Sequence, residues 1–207
     1  MTEPDHQPTG GRRRSAIQRR ERIITAAREL FARQGFHGTG VAQIAQLSGV
    51  LVGQLYRDFS GKEELIAAIV ERDIGELLDD PDLADAVASG EARQLNVWLR
   101  HFIARGLDQE SRNVLTDILS EATRNPKIAE ILQTGYRRLQ DRLVSAAFVW
   151  IPDPAKDVAR EELADLILTA GGAIQHRQIF GLPVDDRTID KLVDLIDREL
   201  ALHSQAG

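Results

Sequence analysis

At 207 residues, 43% hydrophobic and 28% charged, the chain is long enough for a sizeable core and too ordinary in composition for wholesale disorder. It contains no cysteine, which excludes disulfides and thiol chemistry. The net charge of −6 speaks against nucleic acid, but from Arg12 to Arg57 nine arginines face two acids, giving +7 there and −13 elsewhere. That asymmetry fits a protein with one end turned toward a polyanion.

Residues 1–14, "MTEPDHQPTGGRRR", read as a flexible basic arm, with a merely solvated tail as the alternative. No apolar core of a signal peptide follows it. The nearest approach to an uncharged apolar run, "LILTAGGAI" (Leu166 to Ile174), is far too short to cross a bilayer, so no membrane association and a cytoplasmic location are expected. Ile23, Ile24, Ala27, Leu30 and Phe31 recur at helical spacing and predict a first helix from Ser15 to Gln34, stopped by Gly35. A second helix, Val41–Ser48, closes on Gly49, a residue suited to the left-handed end of a helix. A third runs from Leu51 to Phe59, and "SGKE" (Ser60 to Glu63) reads as a capping box opening a fourth with Leu65, Ile66, Ile69 and Val70.

Beyond it, Pro81, Gly90, Asn125-Pro126, "IPDP" (Ile151 to Pro154) and "GLPVDD" (Gly181 to Asp186) punctuate the chain. Helices are predicted near 91–107, 111–124, 127–149, 156–180 and 187–203, with no convincing strand. The expected fold is all-α with about nine helices. It divides into an arm (1–14), a three-helix DNA-binding domain (15–60) and a larger helical domain for ligand binding and dimerisation (61–207).

Two short helices around Gly49 have helix-turn-helix proportions, with Ile44, Ala45, Val50 and Leu55 at the apolar junction. The run "ARELFARQGFHGTG", then "IAQLSGV", then "GQLYRDFSGKEEL" resembles the tetracycline-repressor (TetR/AcrR) family of bacterial transcription regulators over Ile23 to Leu65. The resemblance implies duplex operator DNA as one partner, a small-molecule effector as another, and a homodimer. It implies Val52, Gly53, Gln54, Tyr56 and Arg57 on the recognition helix, with Gln54 facing base edges and Tyr56 giving its hydroxyl to a phosphate. Lys62 would meet another phosphate at the start of the next helix, and Arg12, Arg13 and Arg14 would add sequence-independent contacts, with Arg19, Arg20 and Arg22 behind them. A core aromatic is the alternative for Tyr56, and a solvated charge for Lys62.

Gly40 and Leu51 stand where that family usually has a Ser or Thr cap, and Ala42 and Val52 where polar contacts are frequent. The groove helix is therefore expected to start poorly capped and sparse in donors, although Leu51 and Val52 can touch thymine methyls. For the effector, Trp98, His101, Phe102, Ser120, Tyr136 and His176 are the candidate lining, with ordinary core packing as the competing reading. Ile167, Gly171, Ile174, Leu192 and Ile196 on the last two helices suggest a four-helix dimer interface, or else burial inside one subunit. No catalytic motif, metal-ligand spacing or cofactor loop is found, so no enzyme activity, metal or cofactor is expected. The alternative function is a helical protein-interaction module with no specific operator.

Overall fold

The first helix, α1 (Thr9–Gly38), buries Ile23, Ile24, Ala27 and Phe31 along one face and bends at Gly35, whose φ of 75° is the left-handed value that a β-carbon resists. The structure is a computed structural model that describes the backbone of residues 9–204 and the side chains of residues 13–200 other than Ala92. Residues 9–14 of the expected flexible arm are helical, continuing α1 six residues before Ser15. Three successive arginines, good helix formers, help explain the extension. Residues 1–8 of that arm and the Arg12 side chain lie outside the described residues.

Two short helices follow, α2 (Val41–Ser48) and α3 (Val52–Asp58), with Gly49 between them at φ 68°. Then comes α4 (Lys62–Leu78), whose start differs in detail from the expected Ser60–Glu63 box. The helix begins at Lys62, so Glu64 is its third residue, and its Oε2 accepts the Ser60 N–H at 2.6 Å. That bond holds the Glu64 carboxyl below its ordinary pKa.

One helix was not expected. Pro81, read as a break, opens α5 (Pro81–Ser89): Asp80 caps it by accepting from the Asp82 and Leu83 N–H groups, and Gly90 ends it at φ 69°. The remaining helices lie close to their predicted ranges: α6 (Ala92–Ala104), α7 (Gln109–Ala122), α8 (Pro126–Ala146), α9 (Asp157–Ile179) and α10 (Asp186–Ser204). The last predicted turn of α8 tightens into a 3₁₀ segment, Ala147–Val149. Among the described residues there are thus ten α-helices and no strand.

The chain forms two compact units, which do not divide at residue 60. One comprises Met1–Ile69 with Asn113–Ile128, and the other Val70–Arg112 with Ala129–Gly207. The first keeps the beginning of α4 because Leu65, Ile66 and Ile69 are fully buried beside the N-terminal helices. In the second, α6, α9 and α10 build one core from Trp98, Leu99, Leu163, Ile167, Ile174 and Ile196, among others. Within it α4 and α8 approach closely at Gly135, where a β-carbon would collide with Cδ1 of Ile74.

Candidate nucleic-acid interface

The helix-turn-helix junction is apolar: Ile44, Ala45 and Leu55 are buried, Val50 is only half-buried, and Phe59 closes the far end. The opposite side of α3 is open, with Leu51 72%, Tyr56 54% and Val52 42% exposed, and Gly53 and Arg57 also at the surface. A β-carbon on Gly53 would meet nothing within 4 Å. This face is mostly apolar, flat at Gly53, and cationic at its far end.

The two helices are not as poorly capped as their sequences suggest. Neither Gly40 nor Leu51 offers a capping side chain, but the third residue of each helix is glutamine and reaches back. Gln43 Oε1 accepts the Gly40 N–H at 2.7 Å, and Gln54 Oε1 accepts the Leu51 N–H at 3.1 Å. This is the return half of a capping box without the forward half. Gln54, the expected base reader, therefore spends its acceptor on the start of its own helix.

At the other end of α3, α1 supplies a clamp. Arg19 donates to both carboxylate oxygens of Asp58, at 2.6 and 2.9 Å, and Arg20 donates to the Asp58 carbonyl at 2.5 Å. The Arg20 guanidinium also sits 4.3 Å from the centre of the Phe59 ring. The Arg19 hydrogen bonds hold the Asp58 carboxyl below the usual carboxylate range. Arg19 and Arg20, expected behind the arm as phosphate contacts, thus anchor α3; Arg13, Arg14, Arg22 and Arg57 are at the surface.

Lys62 has a similar inward engagement. Its Nζ donates to the carbonyls of Phe36 (2.5 Å) and Thr39 (3.1 Å) and lies 4.3 Å from the Phe36 ring centre. The same bend receives α7: Asp117 accepts the Phe36 N–H at 2.5 Å, Asn113 donates to the Ala32 carbonyl at 3.0 Å, and Glu121 lies 2.8 Å from His37 Nε2. A β-carbon on Gly35 would meet the Asp117 carboxylate at 3.5 Å, an ordinary contact, so it is the backbone angle that calls for glycine here. Sequence reasoning missed Arg19, Asp58, Gln43, Asp117 and Glu121 in these roles. Only the glutamines leave a local signal, each three residues after its helix cap.

The expected effector residues do not converge. Trp98 is buried and stacks on Phe102 with centroids 5.1 Å apart, so both rings serve the core of the second unit. His176 is exposed and meets Phe180 edge-on, Tyr136 is 44% exposed, and Ser120 belongs to the first unit, where Arg124 donates to its hydroxyl. Trp98 and His101 share an open cleft of about 530 Å³ between α5 and α6 that Asp82, Asp85, Glu91 and Arg93 also line. Among the described residues, no group of three or more His, Cys, Asp or Glu is placed to hold a metal ion. No described helix is long and apolar enough to cross a membrane.

The expected dimer residues turn inward. Ile167, Ile174 and Ile196 are at most 3% exposed in the core of a single chain, Leu192 packs against that core, and Gly171 gives its space to the Phe102 ring of the same chain. The stripe on α9 and α10 is thus covered within the chain itself. The outward apolar residues of those helices include Val158 (65%), Leu195 (59%) and Leu166 (41%).

A short helix packed on another across a glycine turn, with an open face that carries arginine, is a helix-turn-helix arrangement in an otherwise helical chain. The resemblance is narrower: residues 23–69 match the bacterial regulatory proteins of the tetR family. It is 30% identical over 125 residues to the HTH-type transcriptional regulator UidR of Escherichia coli K12, covering 59% of this chain and 61% of UidR. It is 36% identical over 78 residues to the transcriptional activator FasR of Mycolicibacterium smegmatis, about 36% of each chain. The chain thus spans between about a third and three-fifths of these relatives.

The fold extends further. A TetR-family regulator from Mesorhizobium loti superposes with a TM-score of 0.66 at 20% identity, over 91% of this chain and 96% of that one. A transcriptional regulator from Saccharomonospora viridis, in complex with choline, gives 0.57 at 22% identity, over 88% and 95%.

Proposed function

We propose that the protein is a sequence-specific DNA-binding transcriptional regulator that holds duplex operator DNA as a homodimer. The observation that carries this reading is the exposed face of α3 (Val52, Gly53, Tyr56 and Arg57), braced from behind by Arg19 and Arg20 and accompanied by the exposed Arg13 and Arg14. Tyr56 offers a hydroxyl from the surface, the position a phosphate contact needs. Two copies would present two such helices to half-sites about one helical turn apart, or a multiple of it.

Repression relieved by a small molecule is the regulatory mode we propose. The cleft between α5 and α6, reached by Trp98 and His101, is the candidate place, and about 530 Å³ suits a small ligand. The choline complex of a protein of the same fold lends it support. Effector binding would change the separation of the two recognition helices and so their fit to the half-sites.

The experiment is a selection of duplex fragments by the purified full-length protein, followed by affinity measurements across salt concentrations. A specific fragment with a steep salt dependence is the expected result, and Arg13→Gln with Arg14→Gln should flatten the log–log slope by about 2 per subunit. No salt-dependent binding to any duplex would favour a helical interaction module instead.

A further inference from the structure

We infer that the groove helix reads its operator mainly through thymine 5-methyl groups, touched by Leu51 and Val52; this rests on the DNA-binding reading above. Four observations converge on it. The two side chains are 72% and 42% exposed, at the start of a helix whose buried side is complete without them. Among the described residues neither side chain is buried in a core, and together they leave an apolar patch at the tip of a short helix.

The polar competitor is occupied. Gln54 Oε1, the acceptor that an adenine-reading amide needs for N6–H, takes the Leu51 N–H. If Gln54 turned to a base, the first N–H of the segment would lose its partner. Gly53, next along, has no side chain to read with.

The surroundings are cationic, which selects duplex DNA as the occupant of this face. Arg57 is exposed on the same helix, and Arg13 and Arg14 are exposed on α1. These charges suit a phosphate backbone that positions the protein without sequence information. What then reaches the base edges is apolar, and in the major groove the apolar mark is the thymine methyl. Specificity of this kind comes from shape and from methyls excluded from water rather than from paired hydrogen bonds.

The test uses duplexes that the full-length protein selects from a randomised pool, prepared once with thymine and once with deoxyuridine, which differs only by the missing methyl. Deoxyuridine should weaken binding about fourfold for one contacted methyl and about sixteenfold for two, the scale of a buried methyl-sized group. Leu51→Ala and Val52→Ala should weaken binding to the thymine duplex and narrow its advantage over the deoxyuridine duplex, a coupling that a general loss of folding would not produce. Leu51→Ser supplies a hydroxyl cap, so it should keep the helix and still lose methyl discrimination.

Equal affinity for the two duplexes would overturn the inference. So would a Gln54→Ala variant that switches the selected sequence while deoxyuridine has no effect. If no duplex is enriched at all, the DNA-binding reading fails and takes this inference with it; enrichment with indifference to the methyl sinks the inference alone.

Discussion

Lys62→Met removes an ammonium while keeping most of the apolar stem, and the structure says what is lost. The Phe36 and Thr39 carbonyls each lose a charge-assisted donor, at 2.5 and 3.1 Å, and the Phe36 ring loses its cation. Hydrogen bonds to charged groups contribute about 1.5–3 kcal/mol each when buried. Lys62 is only partly buried, so screening reduces that to roughly 1 kcal/mol apiece, with about 0.5 kcal/mol more from the ring. The expected cost is therefore about 2–3 kcal/mol, confined to the first unit.

Both tryptophans, Trp98 and Trp150, lie in the second unit, so their fluorescence would report poorly on this change. Native-state hydrogen exchange of the amides in residues 41–59 is the better assay. A loss of about 2 kcal/mol corresponds to exchange roughly thirtyfold faster through the cooperative opening. Unchanged protection together with a loss of DNA affinity would refute the reasoning and return Lys62 to a purely phosphate-contacting role.

Three further outcomes follow from the same contacts. Gly135→Ala should destabilise the second unit by about 1–3 kcal/mol, seen in tryptophan fluorescence against urea, and Ile74→Val in the same chain should recover part of it by removing the colliding methyl. Leu195→Glu, at a site 59% exposed, should leave the chain folded and shift any dimer toward monomer in sedimentation, whereas Ile196→Glu, 2% exposed, should unfold the second unit. Asp58 is held below its ordinary pKa, so its contribution is complete above the unfolded value near about 4 and lost as pH falls through the lower folded value. The stability gap between wild type and Asp58→Asn, read by amide exchange near neutrality and by urea midpoint in acid, should therefore be steady down to about pH 4 and shrink below it; a gap unchanged in strong acid would point to packing instead.

What was legible in the sequence is what depends on near neighbours. Leu55 and Phe59 repeat at helical spacing, Gly49 ends a helix, and both sides of the junction follow from periods of three and four. Pro81 was misread because proline both breaks and begins helices, and the aspartate before it decided the matter. The clamp was not legible: Arg19 and Asp58 are 39 residues apart, and Phe36 and Asp117 are 81 apart. An arginine in a basic stretch looks the same whether it faces a phosphate or a carboxylate. The stripes on α9 and α10 carry a related ambiguity, since an apolar face states that it is covered and not by which chain.

The clamp also explains how so short a helix as α3 holds its shape. Seven residues are far too few for a helix to persist by propensity alone, so α3 depends on what fixes its ends. Its start is tied by Gln54, its end by Arg19 and Arg20, and its inner face by Leu55 and Phe59. The ties at its two ends use polar or cationic groups that the sequence offered for DNA. Preorganisation of the reading surface and direct polar readout thus draw on the same few side chains, and in this protein the first has taken Gln54, Arg19 and Arg20. The outer face is left to Leu51, Val52, Tyr56 and Arg57, which can meet methyls and phosphates without disturbing any bond that keeps the helix in place.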